Sequence, residues 1–460
     1  MFSDVGWRHC LYVYDGKMQP GVVSRSGYAV INDTSAVLLS TTAQNNSWPS
    51  GWRQARAHAP GSYVDLLVFG HGLAFKDAMR DYTKIGGGVP LMPWRSYGIW
   101  WSRYHRYSAA SFQAEVLDGF ETNALPLHSV VLDTDWHTGK GFDPATKCTR
   151  KTDQGYNWNK TLFPDPVAFE AMLHAKNLSL TLNVHDQGLI DKCQRNYSLV
   201  MKAVGESPAA IAKGSWLYCH FESEAWSESM HHYMLEQGDN AAVDGWWTDF
   251  GGAPAGHFNG NAEWQCLHDT RPITSGPLNA SYEPGHGDTD LGFSYGNGRT
   301  PASLWAQYVR HSRWPMRTDG RRRGFRMGIN GGLGAHRYPL IGSGDTEASW
   351  ATASYQMYMN IAGANLATTW THDLGGFYGQ IPYSQCPPDD PGWTAKCDPA
   401  KGGDPFLSGC NVNSCEPAGC HAYPGNTTTA GLCMHDPELH LRWLQQGALS
   451  HVFRTHCEYQ

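Results

Sequence analysis

The apolar positions change their period near residue 90. Before it, short runs rich in β-branched and aromatic residues (LYVYDG, GYAVIND, SAVLLS and YVDLLVFG) are punctuated by Gly, Pro and Asn, as in the strands of a β-domain. Past it, eight short apolar runs read as strands: GIWWSRY (98–104), HSVVLDTDWH (128–137), SLTLNVH (179–185), VDGWWTDF (243–250), FRMGI (325–329), YPLIGSGD (338–345), NLATTWTHD (365–373) and ALSHVFRTH (448–456). Helical spacing fills gaps at 110–122, 165–177 and 227–236. Strand–helix alternation with this repeat count predicts an α/β fold, a (β/α)8 TIM barrel over 89–460 behind a β-rich segment over 1–88. Two connections, at about 251–300 and 379–437, are too long for barrel loops. Both follow the C-terminal ends of strands, where barrel enzymes build their sites, and both read as insertions.

Composition narrows the classes. The 460 residues carry a net charge of −7, with 12% aromatic and 41% hydrophobic residues, enough apolar surface to fold. The tightest basic cluster is Arg321-Arg322-Arg323, too little for a nucleic-acid footprint. No apolar run reaches the roughly 18 residues of a membrane span. The N-terminus, MFSDVGWRHC, shows no signal peptide. Seven Asn-x-Ser/Thr sequons (Asn32, Asn45, Asn159, Asn177, Asn196, Asn279, Asn426) and 12 Cys nevertheless point to a secreted or secretory-lumen glycoprotein. Six of the cysteines fall between Cys386 and Cys433, read as disulfide staples of a coreless loop; zinc on Cys410, Cys415, Cys420 and His421 is the rival.

The candidate chemistry lies in the acids. Strand candidates end in Asp133 and Asp135 (LDTD), Asp249 (WWTD), Asp345 (GSGD) and Asp373 (THD), with Trp136, Trp246, Trp247 and Trp370 beside them. Trp faces stack on sugar rings and carboxylates bind hydroxyls, so paired acids among tryptophans suit glycosidic cleavage. On a strand Asp135 would share the side of Asp133 and brace it. Phosphate-loop and H-E-x-x-H motifs are absent from the sequence. The adjacent pair His231-His232 would face different sides of a helix, and reads as a solvated face rather than a metal site. No cofactor or metal is expected, and the expected partner is a carbohydrate.

Six of these motifs in this order, GIWWSRY, VVLDTDWH, DGWWTDFGG, GGLGAHRYPLIGSGDTEASW, THDLGGF and LRWLQQGALSHVFRTH, resemble the catalytic domain of glycoside hydrolase family 31. The stretch GVVSRSGYAVIND is similar to the end of that family's N-terminal β-sandwich. The resemblance implies a retaining α-glycosidase, α-glucosidase- or α-xylosidase-like, with Asp249 as nucleophile and Asp345 as general acid/base. It implies that Asp133, Arg326 and His456 hold sugar hydroxyls, and that Trp247, Asp373 and Phe377 line or brace the pocket. A cation such as Arg326 would help keep Asp249 ionised. Phe250-Gly251-Gly252 stands where the α-glucosidase branch has Met-Asn-Glu, which weakens an inference to plain α-glucosidase specificity. A transglycosylase, an α-glucan lyase and a non-catalytic sugar-binding fragment remain alternatives. By the same resemblance, the chain is expected to be partial, starting within the sandwich and ending after the eighth strand.

Overall fold

The computed structural model describes residues 21–32, most of 64–139 and 141–185, then 190–214, 229–249, 325–328, 340–344, 350–365, 369–377 and 437–457, with a few positions between. The two long insertions and the six-cysteine cluster lie outside the described residues.

The N-terminal part holds two antiparallel strand pairs. Strand β1 (Ala29–Asn32) pairs with β4 (Leu66–Phe69), and β2 (Leu38–Leu39) with β3 (Arg53–Gln54). Alternation along β1 and β4 sorts their side chains. Ala29, Ile31 and Phe69 pack with Val22 and with Tyr82 of helix α1 (Phe75–Gly86), while Val30 and Val68, partners in register, are exposed.

The rest is a parallel eight-stranded sheet. Its strands are β5 (Gly98–Trp101), β6 (Ser129–Leu132), β9 (Ser179–His185), β10 (Gly245–Asp249), β11 (Phe325–Gly328), β12 (Leu340–Gly342), β13 (Thr369–Thr371) and β14 (Val452–Thr455). A small hairpin, β7 (Gly141–Asp143) and β8 (Cys148–Arg150), sits between the second and third. Each strand lies inside one of the eight runs read from the sequence. Strand β14 pairs with β5, and the backbone N–H of Leu374, just past β13, donates to the carbonyl of Arg454 at 3.1 Å, closing the ring. This is the TIM barrel.

Helix starts are set by local chemistry. Ser108 and Ser111 form a capping box before α2 (Ala109–Phe112), which continues through a π-helical segment, Gln113–Leu117, into α3 (Asp118–Thr122). Asp165 accepts the amide of Ala168 at 2.9 Å and Pro166 occupies the first position of α4 (Pro166–Ala175). Helices α5 (Tyr197–Ala203), α6 (Pro208–Lys213), α7 (Trp350–Asn365) and α8 (Pro437–Gly447) come after it.

Strand alternation splits the core into two layers. Trp100, Val131, Trp247, Met327, Leu340 and Val452 fill the barrel interior. Val130, Leu132, Leu180, Leu182, Val184 and Trp246 face outward onto helical residues such as Phe112, Phe169 and Leu173. The second π-helical segment, Met230–Leu235, belongs to this outer layer. Here His231 is buried, 3.1 Å from Glu236 Oε1, rather than on a solvated face. The apolar residues around it, Met230, Met234 and Leu235, draw that side of the segment into the core.

A disulfide joins Cys148 of β8 to Cys193, 45 residues on, beside the buried Arg150–Asp191 ion pair. It ties the β7–β8 hairpin to the segment after β9. Closing a loop of that length restricts the unfolded chain by about 4 kcal/mol on the chain-entropy scale. Cys148→Ser is expected to lower the unfolding free energy by that order. Denaturant titration with and without reductant checks it, since reductant should lower the wild-type midpoint at least as far as the variant's.

Candidate active site

Residues two apart on a strand face the same way, so an inward residue near the C-terminal end of a strand fixes the direction of the residue two places on. Trp100 leads to Ser102, Val131 to Asp133, Trp247 to Asp249, Thr371 to Asp373, and Arg454 to His456. All ten are nine-tenths or more buried. Four strands thus deliver acids or a histidine to the mouth of the barrel.

Hydrogen bonds hold this cluster. Asn183, an inward residue of β9, donates to Asp249 Oδ2 at 3.1 Å. His456 Nδ1 lies 2.8 Å from Ser102 Oγ, and its Nε2 faces Asp133 Oδ2 at 3.4 Å. Burial and the nearby Arg454 hold the His456 imidazole well below its usual pKa, so it is neutral. Its partners then place the proton on Nε2, toward the carboxylate, with Nδ1 accepting from the serine. Burial, and next the charge of Asp249, push the Asp133 carboxyl well up; Arg454 and Asn183 oppose them. Burial pushes the Asp373 carboxyl up to about 7 against the pull of Arg454, whose Nη2 donates to Asp373 Oδ1.

The aromatic wall is built around His456. Trp247 meets it edge-on at 4.8 Å between ring centres, and Phe377 stacks on it at 5.0 Å. The sequence pattern gives all four tryptophans to the pocket, and the structure corrects this: only Trp247 faces the interior. Trp246 and Trp136 pack with Trp158 in the outer layer, and Trp370 donates to Gln356 of α7 at 3.0 Å. The residue beside an inward acid on a strand must point outward. Asp135 is corrected likewise. The chain has left β6 at Leu132, and Asp135 takes a left-handed conformation (φ 60°), so strand alternation no longer applies.

Asp345 lies outside the described residues, but Gly344 and Thr346 on either side of it in the chain are described. Thr346 O accepts the amide of Phe377 at 2.7 Å, so the loop carrying Asp373 and Phe377 is clamped onto the segment carrying Asp345. Gly376 makes that contact possible. It has φ +86°, and a Cβ there would lie 2.5 Å from Ala348 N and Cα. Gly376→Ala is expected to cost about 1–3 kcal/mol from backbone strain alone, and to reduce kcat/KM by moving the clamp. Thermal unfolding and steady-state kinetics measure both. For Arg326 the described structure gives the backbone register: it pairs with Trp246, while Met327 pairs with the inward Trp247. Its side chain lies outside the described part.

Sequence reasoning missed Ser102, Asn183 and Arg454, each of which touches a proposed site residue. Their signal was inward parity with Trp100, Thr181 and His456.

The family model described as "Glycosyl hydrolases family 31 TIM-barrel domain" matches residues 89–460. The chain belongs to glycosyl hydrolase family 31. Among curated relatives of this family 31 chain, an α-xylosidase of Saccharolobus solfataricus is 24% identical over 376 residues, covering 79% of this chain and 43% of that protein. Among solved structures, a glucosidase II alpha subunit has a TM-score of 0.54 at 16% identity, covering 86% of this chain and 35% of that one. A cycloalternan-degrading enzyme from Trueperella pyogenes has a TM-score of 0.53 at 14% identity, covering 95% and 51%. At these identities the structural likeness speaks to the fold. The chain spans less than half the length of the curated relatives it matches.

Proposed function

We propose that this family 31 chain is the catalytic barrel of a retaining α-glycosidase, which removes the terminal α-linked sugar of an oligosaccharide or glycoside by double displacement. The observation that carries the proposal is Asp249. It is a buried carboxylate at the end of β10, oriented by Asn183 and set among Asp133, Asp373 and a neutral His456.

On this reading Asp249 Oδ attacks the anomeric carbon while the bond to the leaving oxygen breaks, and Asp345 gives that oxygen its proton. Water then attacks the glycosyl–Asp249 ester; Asp345 takes the water's proton and Asp249 departs. Asp133 and the His456 N–H present an acceptor and a donor to sugar hydroxyls, strengthened by exclusion of water. Trp247 forms the floor, with Phe377 and Asp373 at its side. Arg326 enters the hydroxyl-holding set on the family resemblance alone, since its register partner Trp246 faces outward. We place 1–88 in an N-terminal β-sandwich and the protein in the secretory lumen or outside the cell, the latter resting on the sequons and the cysteine count. Among the described residues no helix is long and apolar enough to cross a membrane.

The sugar is the finer question. The curated relatives named α-xylosidase support an α-xyloside, whereas Phe250-Gly251-Gly252 departs from the α-glucosidase pattern. A panel of 4-nitrophenyl α-glycosides (xylo, gluco, galacto, N-acetylgalactosamino) tests it, and nitrophenolate release from at least one is expected. Silence across the panel from a chain that circular dichroism shows to be folded would overturn hydrolysis. Products carrying an added acceptor sugar would indicate transfer, and an unsaturated sugar would indicate elimination.

A further inference from the structure

The sequence offered Arg326 as the cation of the site, but the described barrel interior contains another. Arg454 sits on β14 with no solvent exposure, and its guanidinium carbon lies 4.9 Å from the centre of the Trp247 ring. Its Nη2 donates to Asp373 Oδ1. Gly342 of β12 lies beside it: a Cβ there would be in ordinary contact, 3.9 Å from that same Nη2. We propose that Arg454 is a positioning residue of the glycosidase reaction: wedged between Trp247 and Asp373, it sets its cation among the acids and the histidine of the barrel mouth, and so sets where activity is lost in acid. The kinetic half of this rests on the function proposed above.

Stability is a poor explanation for the pair. A buried ion pair recovers little more than its own desolvation, and this one is not closed on itself. Among the described residues, Arg454 Nε and Nη1 and Asp373 Oδ2 have no hydrogen-bond partner. The groups around the guanidinium explain it better. From β6 comes Asp133, from β10 Asp249, from β13 His372 and Asp373, from β14 His456, and past it Cys457. Burial disfavours charge on Asp133, His372, Asp373 and His456, and carboxylates gathered at one mouth also repel one another. Arg454 opposes the rise of Asp133 and of Asp373, and it adds to the burial that holds His372 (at about 3) and His456 neutral. Cys457 is pushed up to about 12 by burial and stays a thiol. His372 accepts a hydrogen bond from Trp443 Nε1 at 2.8 Å, so the ring behind Asp373 is fixed as well.

Without the cation, the carboxyls of Asp133 and Asp373 rise further and His456 moves back toward its usual range. Each then takes a proton at higher pH, so the acid limb of kcat/KM moves upward. Loss of an opposite charge at this range predicts a shift of about 1–3 pH units in Arg454→Gln. Arg454→Lys keeps the charge without the planar fork; its limb should return toward the wild-type position while kcat/KM stays reduced.

The test combines that pH profile with an NMR titration of 15N-labelled His456 in wild type, R454Q and R454K. An upward shift of both readouts in R454Q, recovered in R454K, is the expected result. A folded R454Q with an unchanged limb and an unchanged His456 titration would overturn the proposal and leave Arg454 a structural residue. If the wild type hydrolyses nothing, the glycosidase reading fails and the His456 titration alone decides the role of Arg454 by the same two outcomes. If R454Q does not fold, Asp373→Asn takes its place. It removes one raised carboxyl and leaves the cation to the rest, so the acid limb should move down; an unmoved limb would overturn the proposal.

Discussion

Replacing Asp249 by Asn is expected to reduce turnover by at least about 10⁴-fold, the scale seen when a nucleophile acting as part of a catalytic unit is removed. The substitution keeps the shape and a hydrogen-bonding oxygen for Asn183, whose amide lies 3.1 Å from Asp249 Oδ2. It removes the charge that must form the ester. Folding should survive, because the amide also relieves the repulsion that Asp249 exerts on Asp133. The loss should therefore appear in kcat, with circular dichroism and the unfolding midpoint close to wild type. Sugar affinity measured by calorimetry should persist, since Asp133, His456 and Trp247 remain. If turnover fell less than tenfold, Asp249 would not be the nucleophile.

Replacing Asp345 by Asn should give an effect that depends on the leaving group. Proton transfer by a positioned acid is worth about 10²–10⁴-fold, but 4-nitrophenolate departs without a proton. For a natural disaccharide, kcat/KM should fall by that full factor; for a 4-nitrophenyl glycoside it should change far less. The second step still needs a base, so kcat should fall for both and a burst of nitrophenolate should precede a slow steady state. Added azide, a nucleophile that needs no deprotonation, should accelerate that slow step and yield a glycosyl azide. Stopped-flow absorbance and product NMR read these outcomes. An equal loss on both substrates with no burst would remove Asp345 from the acid/base role.

Much of the barrel was legible in the sequence, for particular reasons. The eight strands announced themselves because parallel strands covered on both faces are short apolar runs bounded by turn residues. The acids stood out because each ends such a run. Residues such as Asn183 did not. In SLTLNVH the polar positions Ser179, Thr181 and Asn183 alternate with leucines as they would on a half-solvated strand, yet here all three are buried, with Thr181 and Asn183 inside the barrel. Arg454 was hidden for a related reason, since a lone arginine before a histidine reads as a surface charge until a closed barrel leaves it nowhere to go but inward. The tryptophans misled because adjacency in sequence was taken for adjacency in space, whereas a strand sends neighbours to opposite faces. The disulfide was unreadable because Cys148 and Cys193 are single cysteines 45 residues apart, with no local spacing to mark them. The staples expected between Cys386 and Cys433 lie outside the described residues.

The central claim is that Asp249 carries the sugar covalently between two inversions at the anomeric carbon. The most direct measurement is the ¹H NMR spectrum of the first sugar released from an α-glycoside, recorded before mutarotation. Two displacements predict that the α-anomer appears first and decays toward the equilibrium mixture. The β-anomer appearing first would mean a single displacement by water, and would contradict the nucleophile assigned here.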